Sequence, residues 1–472
     1  MISSISRTLV FAIPLLALFM KGGVSVEAQM SLAVPVALTV VLAALYGRPI
    51  GAVKWVVNAT ALVVGFLSFY ILLQAYLPAL TSHAADIWAA AGEVSGQRVS
   101  FVSLAPADTI ASVVAVTNPI LLFSSGLLLC RDDQSARWML DRLARAGGLL
   151  VLGTLVLFLI EPNALLIWDR EHYIGSFTLS FVNRNTAATF IGLVGLLLVA
   201  QIIRRTDRQA MSDLQRWLSG EKLVAATRRA IAVNVLDIFL CMACALALVL
   251  TLSRAGIASS LLAIVCLLSL SPWLWSRRRR ASRKSFGRER VRWLIAPFGI
   301  VLLLFFAFLL TGHAQTRLAA GFTSDARFCI YPAVIEAIRD NWLWGAGFGT
   351  FAQSFAPYQP ASCGLDGIWE RAHNFYLEGM LGLGLVFLPL LCAAIYILAR
   401  AFWLGLRQRQ RERIYPAAGI SAMVLVLSHS LVDFSLQIPG FSLYFAAIMA
   451  PLVVLSLGRN EHQTKPRHQV AE

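Results

Sequence analysis

Apolar stretches long enough to cross a hydrocarbon core of about 30 Å recur along the whole chain. About twelve can be counted, near 8–20, 30–46, 54–76, 109–130, 147–162, 186–203, 231–250, 255–275, 293–311, 374–399, 415–432 and 440–458. Lipid offers the backbone no water to bond, so spans of this length must be helices, and the fold class expected is an all-α integral membrane protein. Composition agrees: of 472 residues, 58% are hydrophobic and only 14% charged, against roughly a quarter charged in a soluble domain. Of the seven cysteines, Cys241 and Cys244 stand at CxxC spacing, but these two, like Cys130, Cys266 and Cys392, lie in apolar runs, which weighs against a structural zinc site. The first apolar segment follows Arg7. Val26-Glu27-Ala28 resembles a weak cleavage site, whereas Lys21, directly after the apolar run, argues for an uncleaved anchor.

Orientation follows from Lys and Arg, which concentrate in cytoplasmic loops. Arg131 to Arg145, Arg204 to Arg229, Arg277-Arg278-Arg279-Arg280 continuing to Arg292, and Arg400 to Arg413 fall in alternate loops. With Arg7, Arg48, Lys54 and the tail, that side holds 31 of the 40 basic residues and a formal charge of +20, against −5 on the other. Both termini are therefore expected in the cytoplasm. The overall +15 reads as a topology signal, reinforced by anionic headgroups of membrane lipids, and not as a nucleic-acid patch. Nine cations remain on the outer side against the bias: Lys21, Arg98, Arg170, Arg184, Arg254, Arg317, Arg327, Arg339 and Arg371. Each needs another explanation. The outer loops of note are 77–108, 163–185 and 312–373, the last a large cap between the ninth and tenth helices. The division expected is 1–176, N-terminal helices 1 to 5; 177–458, the membrane domain bearing loop 312–373; and 459–472, a polar tail.

Four stretches could carry chemistry. In Phe181-Val182-Asn183-Arg184-Asn185-Thr186 a polar cluster opens an apolar helix. With Asn185 or Thr186 as its cap, Arg184 would stand beside free backbone N–H groups, forming an anion site, unless it simply snorkels to headgroups. In Thr251-Leu252-Ser253-Arg254-Ala255-Gly256 an Arg occupies a short turn between spans. That position is costly without an anion or an ion pair, for which Asp237 or Glu161 are candidates. From Asp325-Ala326-Arg327-Phe328 through Tyr331-Pro332 to Ile338 the pattern predicts an amphipathic helix with Pro in its first turn. It leads to Gly345-Ala346-Gly347-Phe348-Gly349, where close backbone approach to a ligand and a plain membrane-surface turn are both open. Finally, Ala372-His373-Asn374-Phe375-Tyr376-Leu377-Glu378 places His373 at the mouth of a span. Glu378 or Glu370 could orient it as a general base, although a lone interfacial His is also an ordinary structural donor. His429 and Asp433 fall one turn apart on one helix face, which suggests a structural hydrogen bond. No HxxxH, DxD or GxSxG occurs, so no metal ligand set and no acyl-enzyme nucleophile is expected.

Taken in order, Ser180 to Ala188, Thr251 to Gly256, Arg327 with Ala337 to Phe351, Ala372 to Glu378 and His429-Ser430-Leu431-Val432-Asp433-Phe434 resemble the O-antigen ligase and O-antigen polymerase family of polytopic bacterial membrane glycosyltransferases. The resemblance covers about Phe177 to Gly440. It departs at Asn183-Arg184-Asn185, where many family members carry a proline between two polar residues.

The resemblance implies a class C glycosyltransferase-like fold in the bacterial inner membrane, with its active site on the periplasmic side. It implies a glycan donor on undecaprenyl diphosphate, an acceptor hydroxyl on lipid A-core or another glycan, and neither metal nor cofactor. Arg184, Arg254 and Arg327 would hold the diphosphate, and His373 would be the general base, with Asn183, Asn185, Asn374, Glu378 and Asp433 in support. Direct displacement with inversion is the simplest mechanism. Aromatics of the large loop (Phe322, Trp342, Trp344, Phe348, Phe355, Tyr358, Trp369) suit stacking on sugars, or an interfacial belt. Cys329 and Cys363, in an oxidising compartment on this reading, could be bridged. Ligase is favoured over polymerase. A secondary transporter is the rival from another class, although no internal repeat is visible.

Overall fold

Long apolar helices, each closing its own backbone hydrogen bonds, build the protein. The computed structural model describes residues 2–78, 83–96, 100–206, 212–213, 216–217, 219–221, 224–275, 326–363, 367–409 and 412–458. Helices α1 (Ile2–Phe19), α2 (Val26–Tyr46), α3 (Lys54–Tyr76), α4 (His83–Ser95), α5 (Pro106–Leu129) and α6 (Asp133–Ile160) are followed by a two-stranded antiparallel hairpin, β1 (Ala164–Leu165) and β2 (Trp168–Asp169). Then come α7 (Arg184–Arg205), α8 (Ala225–Leu250), α9 (Arg254–Trp275), α10 (Ala326–Asp340), α11 (Phe351–Phe355), α12 (Phe375–Leu383), α13 (Phe387–Gln408), α14 (Ile414–His429) and α15 (Pro439–Leu457).

Among the described residues eight helices are long and apolar enough to span a bilayer, and three shorter apolar ones accompany them. Together they account for eleven of the expected segments. The segment 293–311, the arginine run 277–280, residues 312–325 of the large loop with Arg317 and Phe322, Arg98 and the tail 459–472 lie outside the described residues. Helices apolar on every side belong inside a bundle. Accordingly 94% of the residues in the apolar stretch of α15 and 78% of those in α7 are buried, whereas only 28% of those in α2 are, leaving the others for lipid. Small residues bring the inner helices into contact: a Cβ at Gly256 on α9 would collide with Ala188 on α7, and one at Gly126 on α5 with Ala450 on α15.

The two ends of the bundle differ. The arginine end is closed by ion pairs: Arg137 to Glu412 at 2.8 Å, Arg145 to Asp237 at 2.8 Å, Arg205 to both Asp237 and Asp141, and Arg409 to Asp133. Asp237 is therefore not the partner of Arg254, which opens α9 at the other end. That other end carries the loops and a small second core of Ile330, Val334, Phe351, Phe355, Ala372 and Leu381. This core is tied by a disulfide between Cys329 and Cys363, whose Cα atoms are 5.8 Å apart. Within it Tyr358 donates a 2.7 Å hydrogen bond to Asp340, and burial together with that carboxylate pushes the phenol pKa up. Helix α10 begins at Ala326, so Pro332 lies inside it and not in its first turn.

Asp237 is fully buried while both of its arginines reach solvent in part. Asp237→Ala is therefore expected to cost roughly 1–3 kcal/mol, less than the loss of a wholly buried partner. A lower thermal unfolding midpoint in detergent checks it; an unchanged midpoint would mean that these ion pairs contribute nothing net.

Candidate active site

At the loop end the starts of α7, α9 and α12 are each capped by a side chain. Asn183, not Asn185 or Thr186, caps α7: its Oδ1 accepts from the backbone N–H of Asn185 at 2.8 Å, which makes Arg184 the first helical residue. The Arg184 guanidinium lies 5.4 Å from the centre of the Tyr173 ring. At the start of α9, Ser253 Oγ accepts from Gly256 N–H at 3.3 Å and donates to Asn185 Oδ1 at 2.8 Å, so the caps of α7 and α9 are joined. Exposed Arg254 directly follows Ser253. Asn374 caps α12 by accepting from Tyr376 and Leu377 N–H at 3.0 and 3.1 Å.

The starts of α7 and α12 meet the turn between α14 and α15, as does Arg327 of α10. Asn374 Nδ2 donates to Leu431 O at 2.8 Å, Phe375 N–H to Ser430 O at 3.0 Å, and Arg327 Nη1 to Val432 O at 2.9 Å. Asn183 Nδ2 reaches Asp433 Oδ1 at 3.3 Å. Fully buried Asp433 also accepts from Ser435 Oγ, which lies 2.8 Å from Thr189 Oγ1; Thr189 Oγ1 in turn sits 2.5 Å from His429 Nδ1. The expected His429–Asp433 pair on one helix face is thereby corrected. Helix α14 ends at His429, and the two side chains take Thr189 and Asn183 with Ser435 as partners instead.

His373 is half-buried, with its ring edge-on to Phe434 at 4.8 Å and to Trp369 at 5.9 Å. Its backbone is left-handed, φ 52°, and its carbonyl accepts from the Tyr331 hydroxyl at 3.2 Å. Glu378 acts on the backbone and side chain just before the imidazole. Buried, it accepts from Arg371 Nη1 at 3.0 Å and from Ala372 N–H at 2.9 Å, fixing the residues just before His373. The starts of α7 and α9, opened by Arg184 and Arg254, are thus joined through Asn185 and Ser253, Arg327 is bonded to the same turn as Asn183 and Asn374, and His373 lies against Phe434 of that turn; each helix start lends partial positive charge.

Residues 238–392 match the family model described as O-antigen ligase. This segment belongs to the O-antigen ligase family. No curated protein matches the chain. The ligase-family segment contains Arg254, Arg327, His373, Asn374 and Glu378, whereas Asn183, Arg184, Asn185 and Asp433 come to it from helices outside the match. Sequence reasoning overlooked Thr189, Ser253, Ser435 and Tyr331. The signal available was a hydroxyl interrupting an apolar helix or following a short polar motif, a rare placement unless a partner waits across the bundle.

The glycine loop of the ligase-family segment packs on protein. A Cβ at Gly345 would strike the backbone of Gly382, and one at Gly347 would meet Ser103. Buried Gln74, in the last turn of α3, organises the turn. Its amide donates to Trp344 O and Gly382 O at 2.6 and 2.8 Å and accepts from Phe348 N–H at 3.1 Å. The turn is packed into the protein, with Gly345, Ala346 and Gly347 buried. Trp344 stacks on Tyr70, with ring centroids 6.3 Å apart. Gln74→Leu strands these backbone groups and is expected to destabilise by about 2–4 kcal/mol. Thermal unfolding in detergent measures it, and a wild-type midpoint would show that the glycine loop holds its shape without α3.

Proposed function

We propose that the chain transfers a glycan from undecaprenyl diphosphate to an acceptor sugar hydroxyl on the periplasmic side of the bacterial inner membrane, as the O-antigen ligase of lipopolysaccharide assembly. The observation that carries this reading is that the caps of α7 and α12 and the guanidinium of Arg327 meet on the turn that also bears against His373, with the start of α9 joined to that of α7 through Ser253 and Asn185. A departing lipid diphosphate needs fixed positive charge, and guanidinium groups bind phosphate oxygens bidentately. The Cys329–Cys363 bridge suits an oxidising compartment such as the periplasm, and the ion-paired arginine end suits the cytoplasmic face.

In the proposed step, His373 accepts the proton of the acceptor hydroxyl while its oxygen attacks the anomeric carbon. The bond from that carbon to the phosphate oxygen breaks, and the electron pair leaves on the diphosphate, met by Arg254, Arg327 and Arg184. One displacement inverts the anomeric centre. No metal or cofactor takes part. Residues 1–176 then serve as a scaffold, and 177–458 as the transferring domain.

His373→Ala and Arg254→Ala are each expected to reduce transfer by about 100-fold or more while the protein stays in the membrane. Transfer assays on membranes with matched protein levels test this, and near-normal activity removes the residue from the mechanism. A product that keeps the donor's anomeric configuration would exclude the single displacement.

Deletion in the native host separates the family's two reactions. A ligase leaves lipid A-core bare while lipid-linked polymer accumulates, whereas a polymerase leaves single repeats on the core and no long chains. A secondary transporter, the reading from another class, would instead take up labelled sugar in proteoliposomes.

A further inference from the structure

Helix α10 touches the proposed transfer site twice from one of its faces. Arg327 and Tyr331 stand one helical turn apart, about 6 Å along the axis, so their side chains leave the helix on the same side. The Arg327 guanidinium donates to Val432 O at 2.9 Å, and the Tyr331 hydroxyl donates to His373 O at 3.2 Å. Between the two, Cys329 is bridged to Cys363, in the segment that leads to Trp369, whose ring is edge-on to the imidazole. Ile330, Val334 and Ala337 bury the inner side of the helix in the second core. The first turns of α10 are therefore held on several sides. The transfer step gives roles to Arg327 and His373 and leaves Tyr331 without one.

His373 needs holding. Its φ of 52° crowds Cβ against the carbonyl oxygen that follows, a conformation that persists only where neighbours impose it. The crowded oxygen is the one that Tyr331 binds. The flanking residues are already fixed: Ala372 N–H is taken by Glu378 Oε2 at 2.9 Å, and Asn374 is locked as the cap of α12. The Tyr331 hydroxyl acts on the peptide between them, the one joining His373 to Asn374, and the orientation of that peptide decides where the Cα–Cβ bond of His373 points. Because His373 is half-buried, water can replace a lost partner of its carbonyl, so this hydrogen bond contributes direction more than stability.

We propose that Tyr331 is a positioning residue for the base: through the His373 carbonyl it sets the direction of the imidazole, and through α10 it ties that direction to the Arg327 guanidinium. The assignment rests on the transfer reading above. In that step the imidazole must stay within hydrogen-bond reach of the acceptor hydroxyl while the departing diphosphate meets its cations, and a displacement of about 1 Å at a reacting group can cost about 100-fold in rate. A brace that joins base and cation through one rigid helix keeps the two in register.

The test uses Tyr331→Phe, which removes one oxygen and keeps the ring that lies edge-on to Phe328 at 5.6 Å. Wild type, Tyr331→Phe, His373→Ala and the double variant Tyr331→Phe/His373→Ala are purified in nanodiscs and matched for thermal unfolding, with the host's undecaprenyl-linked glycan and its lipid A-core as substrates. Tyr331→Phe is expected to lower kcat about tenfold, with both KM values within about threefold. In the His373→Ala background the same substitution is expected to change the residual rate by less than about twofold, because a residue that acts through the imidazole then has nothing to position. An unchanged kcat, or an equal loss in the two backgrounds, overturns the assignment. A larger rise in KM overturns it too, since it would put Tyr331 on the substrate.

Carbethoxylation by diethyl pyrocarbonate, followed peptide by peptide with mass spectrometry, reads the imidazole without any substrate. Exposed His172 serves as the internal reference. A rate at His373 that shifts about threefold or more in Tyr331→Phe, relative to His172, supports the positioning role even where wild type shows no transfer, in which case only the transfer reading falls. A wild-type rate at His373 in Tyr331→Phe overturns the positioning role while leaving the transfer reading intact.

Discussion

The buried Asp433 carboxylate, held by Asn183 and Ser435 in the turn between α14 and α15, is the contact on which the loop end depends. Around it the backbone carbonyls of Ser430, Leu431 and Val432 are each taken by a group from another element: Phe375, Asn374 and Arg327. A turn whose acceptors are all engaged cannot move without stranding polar groups in an apolar surround, which is costly. The helix starts that it gathers are therefore fixed relative to one another.

That fixity matters for the chemistry proposed. Charge that develops on a leaving diphosphate is stabilised most by dipoles and cations already in place, since they need not reorganise during the step. Asn183, Ser253 and Asn374 each occupy a helix cap and at the same time bond to a neighbouring element. Each of these side chains thus does two jobs: it satisfies the helix end and aligns that end with a neighbouring element. His373 sits in a left-handed conformation between the Arg371–Glu378 pair and the Asn374 cap, so its position too is imposed by neighbours on both sides.

Much of the site could be read in advance because polar residues in an apolar chain are conspicuous. Arg254 and Arg327 stood out as cations on the wrong side of the charge bias, and His373 as an imidazole at the mouth of a span. Their partners were less legible. Gln74 is separated from the glycine loop by about 270 positions, and nothing in either segment announces the other. The glycines looked equally suited to a ligand and to a turn, because the requirement they meet, a missing Cβ, is the same in both cases. Glu378 was expected beside His373 on spacing alone, yet its two oxygens are consumed by Arg371 and Ala372.

What the sequence determined by itself was the class of fold and which end of the bundle collects the basic residues. Both follow from local quantities, the length of an apolar run and the sign of the charges that flank it, which a bilayer converts directly into structure. What only the tertiary structure decided was which polar groups pair across the bundle: Asp237 with Arg145 and Arg205, Asp433 with Asn183, Thr189 with His429. Those choices depend on how the helices rotate and tilt against one another, set by small residues such as Gly256 meeting Ala188. Apolar helices offer many faces of nearly equal hydrophobicity, so the pairing is settled by packing and not by pattern.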